Sequence, residues 1–470
     1  MKVLFVTSEA RPFAASGGLA DVSAALPKAL CAAGHNVRVI MPLYGAIPGN
    51  LREGMRFLKA ISVPVSWRRQ YCGIFEAKYD GVITYFLDNE YYFRRAGLYG
   101  HYDDAERFAF FARAVLETLI HIDFAPAALH CNDWQTALVP VYRQLFYTAV
   151  PKLGGVKTVM TVHNIQYQGV YGKELINDVF GIPSTGEPLV TFNRDINLLK
   201  GGLECADRIT TVSPTYAREI LDPWFSHGLD PILRDRRWKL SGIINGIDTE
   251  ALNPETDPAL YAHYSAEDLS GKEENKEKLL ERLGLFQNGE PLIGMVTRLT
   301  GHKGLDLVRA KLDAILQKGV RMVVLGSGDW EYQEFFEGKA RQYPGRLSFC
   351  KGFIPELAQK IYAGADMFLM PSRQEPCGLA QMIALRYGTI PIVRETGGLA
   401  DTVRDSGDGE GNGFTFAPYS PSDMVHAVFR AVEGYANREG WRVLQKRAMD
   451  CDNSWKKSAE EYARLYKSIK

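Results

Sequence analysis

The sequence lacks most of the features that would place it outside the ordinary globular class. Its seven cysteines, at positions 31, 72, 131, 205, 350, 377 and 451, are odd in number, scattered and never spaced as C-x-x-C. That usage argues against a disulfide framework and against a zinc site, and it fits a reducing cytoplasm. Net charge is also absent: Lys plus Arg and Asp plus Glu stand at 55 each. No global field draws polyanions or anionic lipid, so neither nucleic acid nor membrane is an expected partner. The apolar run Val3–Val6 is too short to span a bilayer and has no basic lead-in of the kind a signal peptide carries, so it reads as a buried strand. There is no G-x-G-x-x-G, no Walker A glycine-lysine phrase, no short-period repeat, no low-complexity tract and no Asp-x-Asp at a strand end. Any phosphate recognition must come from local placement.

At 470 residues and 46% hydrophobic content, the chain is too long for one ordinary core, and two or more domains are expected. The β-branched segment Lys2–Ser8, the Gly17-Gly18 interruption and the helical period from Leu19 to Ala33 open an α/β layer fold. Further strands are read at Val37–Ile40, Ile83–Leu87, Ala128–Cys131 and Val156–Val162, with a helix over Asp104–His121. A second α/β run starts near Pro291. Its strands are read at Leu292–Val296, Met322–Leu325, Leu347–Cys350, Met367–Met370 and Ile390–Val393, alternating with helices at Gly304–Gln317, Trp330–Arg341, Glu356–Gly364 and Leu379–Tyr387. Strands apolar on both faces suit parallel sheets covered by helices. The expected architecture is therefore two doubly wound, Rossmann-like lobes facing across a cleft, with ligands at the carboxyl ends of the strands. The expected divisions are 1–253 for the first lobe, 254–290 for a polar, charge-dense crossing region, 291–454 for the second lobe and 455–470 for a terminal amphipathic helix.

Two phrases nearly repeat each other: Ser16-Gly17-Gly18-Leu19-Ala20-Asp21 and Thr396-Gly397-Gly398-Leu399-Ala400-Asp401. Each would expose backbone N–H groups at a helix N-terminus, where the macrodipole favours a phosphate. One Gly-Gly pair is usually a plain turn, but two matched copies, one per lobe, are harder to dismiss. Arg298 and Lys303 follow the first strand of the second lobe; arginine can fork onto a diphosphate while lysine supplies a point charge. Solvated surface cations are the bland alternative, and the strand-end position favours function. In Pro371–Leu379, between a strand and a helix, Glu375 is placed to grip sugar hydroxyls or balance charge at an anomeric carbon, or else to cap the helix. His163 and Asp133 end apolar strands of the first lobe, although a lone histidine is more often structural. Cys131, in His130-Cys131-Asn132-Asp133-Trp134-Gln135-Thr136, and Cys377, in Pro371–Leu379, have no adjacent base to make either a nucleophile.

Taken together and in this order, the phrases closely resemble the bacterial glycogen synthase and plant starch synthase family, over nearly the whole chain. The resemblance implies the GT-B fold and a retaining hexosyltransferase. It would transfer glucose from ADP-glucose to the non-reducing-end 4-hydroxyl of glycogen or another α-1,4-glucan, without metal or other cofactor. It further implies catalytic roles for Glu375, His163, Asp133, Arg298 and Lys303. Substrate contacts are implied for Glu9, Gly17, Gly18, Asn164, Asn245, Phe353, Cys377, Gly378, Leu379, Thr396, Gly397 and Gly398, with Phe353 stacking on the base. The stretch Phe93–Tyr99 and Lys200-Gly201-Gly202 match segments concerned with the acceptor side and with first-lobe packing. Two positions depart from the family pattern: Ala15 stands where a lysine is usual, and His302 where Gln is common. The rival readings are a GT-B transferase with another donor or acceptor, such as one using UDP-glucose, and a catalytically silent glucan-binding protein. A glucan phosphorylase would need a pyridoxal-holding lysine in a recognisable setting, which the sequence does not offer.

Overall fold

The computed structural model describes residues 1–469 and divides into two compact units, Met1–Ile243 together with the segment from Trp455 onward, and Ile244–Ser454. The first unit is built on a nine-stranded sheet. Its strands are β1 (Lys2–Val6), β2 (Asn36–Pro42), β3 (Arg56–Val65), β4 (Arg68–Tyr79), β5 (Val82–Asp88), β6 (Ala128–Asn132) and β7 (Lys157–Val162). A small antiparallel sheet of β8 (Val170–Tyr171), β9 (Thr191–Phe192) and β10 (Asp195–Asn197) follows, and β11 (Arg208–Thr211) and β12 (Leu240–Gly242) complete the large one. Its order is β12-β11-β7-β6-β1-β2-β5-β4-β3, parallel except where β4 pairs with β3 and β5. The chain winds to one side of β1 through β2 and to the other through β6, so β1 and β6 flank the switch point where open α/β sheets bind ligands.

The second unit has a six-stranded, wholly parallel sheet made of β13 (Leu292–Val296), β14 (Arg321–Gly326), β15 (Leu347–Lys351), β16 (Met367–Met370), β17 (Ile390–Arg394) and β18 (Phe414–Phe416), in the order β15-β14-β13-β16-β17-β18. Here the switch point lies between β13 and β16. The strands are buried on both faces, as their unbroken apolar runs require, and the residues just past their carboxyl ends are the turns read from the sequence.

The domain boundaries move. The first unit ends at Ile243 rather than at 253, and residues 254–290 belong to the second unit instead of standing apart as a crossing region. The reason lies in a stripe that the charge density hid. Helix Ser270–Leu283 buries Leu279 and Leu280 against Leu357 and Ile361, and Tyr264 lies buried with its hydroxyl donating to the Tyr387 carbonyl at 2.8 Å. The terminal helix Trp455–Ser468 returns to the first unit. There Trp455, Ala459, Tyr462 and Tyr466, spaced to share one helical face, pack with Val22, Leu26 and Leu30 of helix α1 (Gly18–Ala32). The Tyr466 hydroxyl lies 2.6 Å from His130 Nδ1 on β6, which ties this helix to the sheet.

Candidate active site

In the first unit, β1 delivers Glu9, β6 delivers Asp133 and β7 delivers His163. Asp133 has φ 55° and ψ 179°, a region that costs a non-glycine residue roughly 1–3 kcal/mol and concentrates at functional sites. The surroundings hold it there: its N–H donates to the Thr161 carbonyl at 2.9 Å, and its Oδ1 accepts the His163 N–H at 2.7 Å. The Asn164 N–H supports the same carboxylate, yet burial dominates and the neighbouring Glu9 adds to it, so the carboxyl is pushed up to about 7. His163 is neutral, its pKa lowered to about 3 by burial. Its tautomer follows from Asn132, whose Nδ2 donates to the carbonyls of Val6 at 2.9 Å and His130 at 3.2 Å. Asn132 Oδ1 therefore faces His163 Nε2 at 2.9 Å, and Nε2 carries the proton. Asn132 precedes Asp133 in the sequence but is not among the expected site residues; an amide one residue before a strand-end aspartate is the available signal.

Glu9 is buried, and its carboxylate accepts the Ser16 N–H at 2.5 Å and the Gly17 N–H. Burial, the largest influence, raises its pKa. No cation pairs with it among the described residues, which is consistent with Ala15 standing where the family carries lysine. Arg11 points its Nε to Asp21 in the first turn of α1, 2.5 Å away. Gly17 and Gly18 are exposed, and a methyl group built on either would meet nothing within 4 Å. There is open space beside the glycines at the N-terminus of α1, but the Ser16 and Gly17 amides expected to face a phosphate are taken up by the Glu9 carboxylate.

In the second unit, the turn after β16 carries Glu375, only 8% exposed. Its Oε2 lies 2.6 Å from Lys303 Nζ and accepts the Ser372 hydroxyl at 3.0 Å. The carboxylate therefore pairs with the lysine expected to hold phosphate, and does not cap the following helix, Ala380–Arg386. Lys303 reaches it because Gly304, at φ 73°, lets the turn after β13 close on Pro371; a side chain there would meet the Pro371 carbonyl oxygen at 1.9 Å. Arg298 lies exposed at the same strand end. Asn245 is 5% exposed, with no partner for its Oδ1 and with its N–H directed at the Cys377 sulfur. A buried amide oxygen left in this state points to a missing ligand or water. Cys377 is buried and its thiol is pushed up to about 12, mainly by burial, and Cys131 rises in the same way, so neither offers a thiolate. Gly378 has φ 72°, Leu379 precedes the helix, and Phe353, just past β15, is 83% exposed.

The second glycine turn corrects the sequence reading. Thr396, Gly397 and Gly398 are buried, and the Gly398 N–H is directed at the carbonyls of Glu375 at 3.2 Å and Pro376 at 3.1 Å. A Cβ on Gly397 would meet the Glu375 oxygen at 2.0 Å, and one on Gly398 the Cys377 oxygen at 2.0 Å. These glycines allow a close backbone approach that supports the Glu375 turn, whereas a freely exposed pair of amides was expected.

Two doubly wound units, with polar groups gathered at the strand ends and a cation–carboxylate pair in the second, are the make-up of a GT-B glycosyltransferase. Residues 2–235 match the family model described as the starch synthase catalytic domain, and residues 275–444 match glycosyl transferases group 1. The chain is 50% identical to a glycogen synthase of Bacillus anthracis with both chains covered in full. It is 48% identical to one of Clostridium novyi (strain NT), covering 100% of this chain and 99% of the other. Among solved structures it resembles the catalytic domain of starch synthase IV from Arabidopsis thaliana bound to ADP and acarbose, with a TM-score of 0.90, 36% identity and 99% of each chain covered. A sucrose-phosphate synthase from Thermosynechococcus elongatus shares the fold at a TM-score of 0.61 and 19% identity, over 100% of this chain and 98% of the other. The chain belongs to the glycogen and starch synthase family of glucosyltransferases. No helix among the described residues is long and apolar enough to cross a membrane.

Proposed function

We propose that this chain transfers glucose from ADP-glucose to the non-reducing-end 4-hydroxyl of an α-1,4-glucan, with retention of configuration and in the cytoplasm. The observation that carries the reading is the Lys303–Glu375 pair, with Glu375 buried and Lys303 part-buried, at the carboxyl end of the second sheet. Glucosyl transfer develops positive charge at the anomeric carbon while negative charge leaves with the diphosphate, so it needs an anion and a cation fixed a few ångströms apart in a dry site. Glu375 is the anion and Lys303 is the cation. With three donors, Lys303 keeps its bond to Glu375 while reaching a phosphate oxygen. Arg298 adds a second contact to the diphosphate, Phe353 stacks on the base, and Asn245 Oδ1 receives a glucose hydroxyl. In the first unit, neutral His163 with Asn164, and Asp133 and Glu9, serve the sugar and the incoming hydroxyl. No side chain among the described residues is poised as a covalent nucleophile, which favours displacement on the same face.

Purified protein incubated with glycogen and labelled ADP-, UDP- and GDP-glucose in turn tests this, after dialysis against EDTA. Label is expected in glycogen from ADP-glucose by a wide margin and undiminished by chelation. Preference for UDP-glucose would overturn the donor assignment, and a loss restored by magnesium or manganese would overturn the metal-free mechanism.

A further inference from the structure

Among the residues of the turn after β13, His302 has no task in the proposed transfer. It stands between Arg298 and Lys303, where the family pattern commonly has glutamine. The turn is held from two neighbouring strand ends. The Leu299 N–H donates to the Ser327 carbonyl at 2.9 Å and the Asp329 N–H to the Leu299 carbonyl at 2.7 Å, which joins it to the turn after β14. The Arg373 N–H donates to the His302 carbonyl at 2.9 Å, which joins it to the turn that carries Glu375. The single helical turn Gly301–Lys303 sets His302 beside Lys303, whose ammonium lies 2.6 Å from Glu375. The imidazole Nδ1 is 3.2 Å from Thr300 Oγ1. A hydroxyl can donate to a neutral ring or accept from a protonated one, so this contact survives a change of charge.

Four charged groups face the ring: Lys303 and Arg298 from its own turn, Asp329 from the turn after β14 and Glu375 from the turn after β16. Glu375 is already paired with Lys303, and the nearby Arg373 sends its guanidinium to Asp306, 3.6 Å away. Partial burial of the ring, then Lys303 and Arg298, hold the His302 pKa below the ordinary histidine value, against the opposing pull of Glu375 and Asp329. The imidazole is therefore neutral at pH 7 while still open to water. A diphosphate seated on Arg298 and Lys303 reverses this balance. Its negative charge offsets the two cations that repel a proton, and an imidazolium beside it becomes the favoured form. Glutamine at the same place can donate a hydrogen bond but cannot change its charge.

We propose that His302 takes up a proton when the diphosphate of the donor binds, so that this chain holds its nucleotide more tightly as the pH falls. This rests on the reading of Arg298 and Lys303 as the diphosphate site. His302 is then a third cation of that site, present only while the diphosphate is there to stabilise it.

Calorimetry of ADP binding to the purified protein tests this without turnover. Titrations at about pH 6.5, near the ordinary histidine value, in two buffers of different ionisation enthalpy count the protons taken up. The terminal phosphate of ADP titrates near pH 6 itself, but it contributes equally in wild type and in His302→Gln, so the difference between them reports the histidine. Wild type is expected to take up roughly half a proton more per ADP than His302→Gln. The dissociation constant should follow: His302→Gln weakens ADP about three- to tenfold at about pH 6 and less than about twofold at about pH 8. With adenosine, which lacks the phosphates, the two proteins should behave alike at both pH values. Equal proton uptake by two proteins that both bind ADP, or a penalty that does not change with pH, overturns the proposal and leaves the diphosphate reading standing. A difference that persists with adenosine also overturns it, because His302 would then answer to the nucleoside. Wild type that binds no ADP at all would overturn the reading of the site, and the proposal with it.

Discussion

The two glycine turns share five of six letters and do opposite things. At Ser16–Asp21 the glycines are exposed with empty space beyond them, and the amides of Ser16 and Gly17 meet a buried carboxylate, Glu9, that has no cation partner among the described residues. At Thr396–Asp401 the glycines are buried against the carbonyls of Glu375 and Cys377, and the carboxylate of that turn is paired with Lys303. One phrase leaves empty space beside its glycines while its first amides bind Glu9; the other lets two backbones touch so that Glu375 is held in place. Identical residues therefore do not imply identical roles, because the role is set by what occupies the volume where a side chain would be.

The sharpest way to break this comparison is to add the missing methyl group to each turn. Gly398→Ala forces a Cβ onto the Cys377 carbonyl, a backbone atom that cannot swing away. It is expected to cost about 3 kcal/mol or more, with activity lost in proportion to the displacement of Glu375. Gly18→Ala meets nothing and should change stability by less than about 1 kcal/mol. Thermal melts of the two variants check this, and equal losses would show that the turns are alike after all.

A smaller effect is expected from restoring the family's cation at the first turn. Ala15 is exposed beside the open end of α1, so Ala15→Lys should lower the ADP-glucose KM by the energy of one charge-assisted contact, about 1.5–3 kcal/mol. An unchanged KM would mean either that Arg11, already at Asp21 on the same turn, supplies the charge or that this helix end does not meet the diphosphate.

The smallest effect concerns the unpaired carboxylates of the first unit. Asp133, raised to about 7, keeps a proton in the folded state that the unfolded chain has lost above about 4, so its contribution to stability falls as pH rises through that window. His163, lowered to about 3, does the reverse. Between there and 6.5 the unfolded chain binds a proton that the folded one refuses, and stability rises with pH. The two slopes oppose each other in the wild type. Asp133→Asn removes the falling one while tolerating the left-handed φ, so the melting temperature of the variant relative to wild type should climb between pH 4 and 7. Since Asp133 is partly open to water, the swing should be on the order of 1–2 kcal/mol. Parallel curves would show that Asp133 titrates normally.

The layer architecture was legible because parallel strands buried on both faces leave unbroken apolar runs, and the strand-end turns follow directly from them. What the sequence could not show were relations between distant residues. Lys303 and Glu375 meet only through folding, and the Cβ positions of Gly397 and Gly398 are filled by carbonyls some twenty residues earlier. The unusual backbone of Asp133 has no signature in its residue type. Residues 254–290 misled for a different reason: most of their charges lie on the solvent side of a helix whose buried stripe is only a few residues wide, and one of the charges, Lys272, is itself buried, its ammonium donating to the Ala363 and Tyr387 carbonyls. Arg107, charged and fully buried, is what composition rules would place on the surface.

In the proposed mechanism Glu375 is the carboxylate at the reacting centre, held by Lys303 and supported by the second glycine turn. Measuring kcat with ADP-glucose and glycogen for Glu375→Ala, beside the dissociation constant for ADP, tests this directly. Turnover should fall on the order of a hundred- to a thousandfold. ADP should still bind, because Lys303 and Arg298 remain to hold the diphosphate. A folded variant with near-normal turnover would contradict the account.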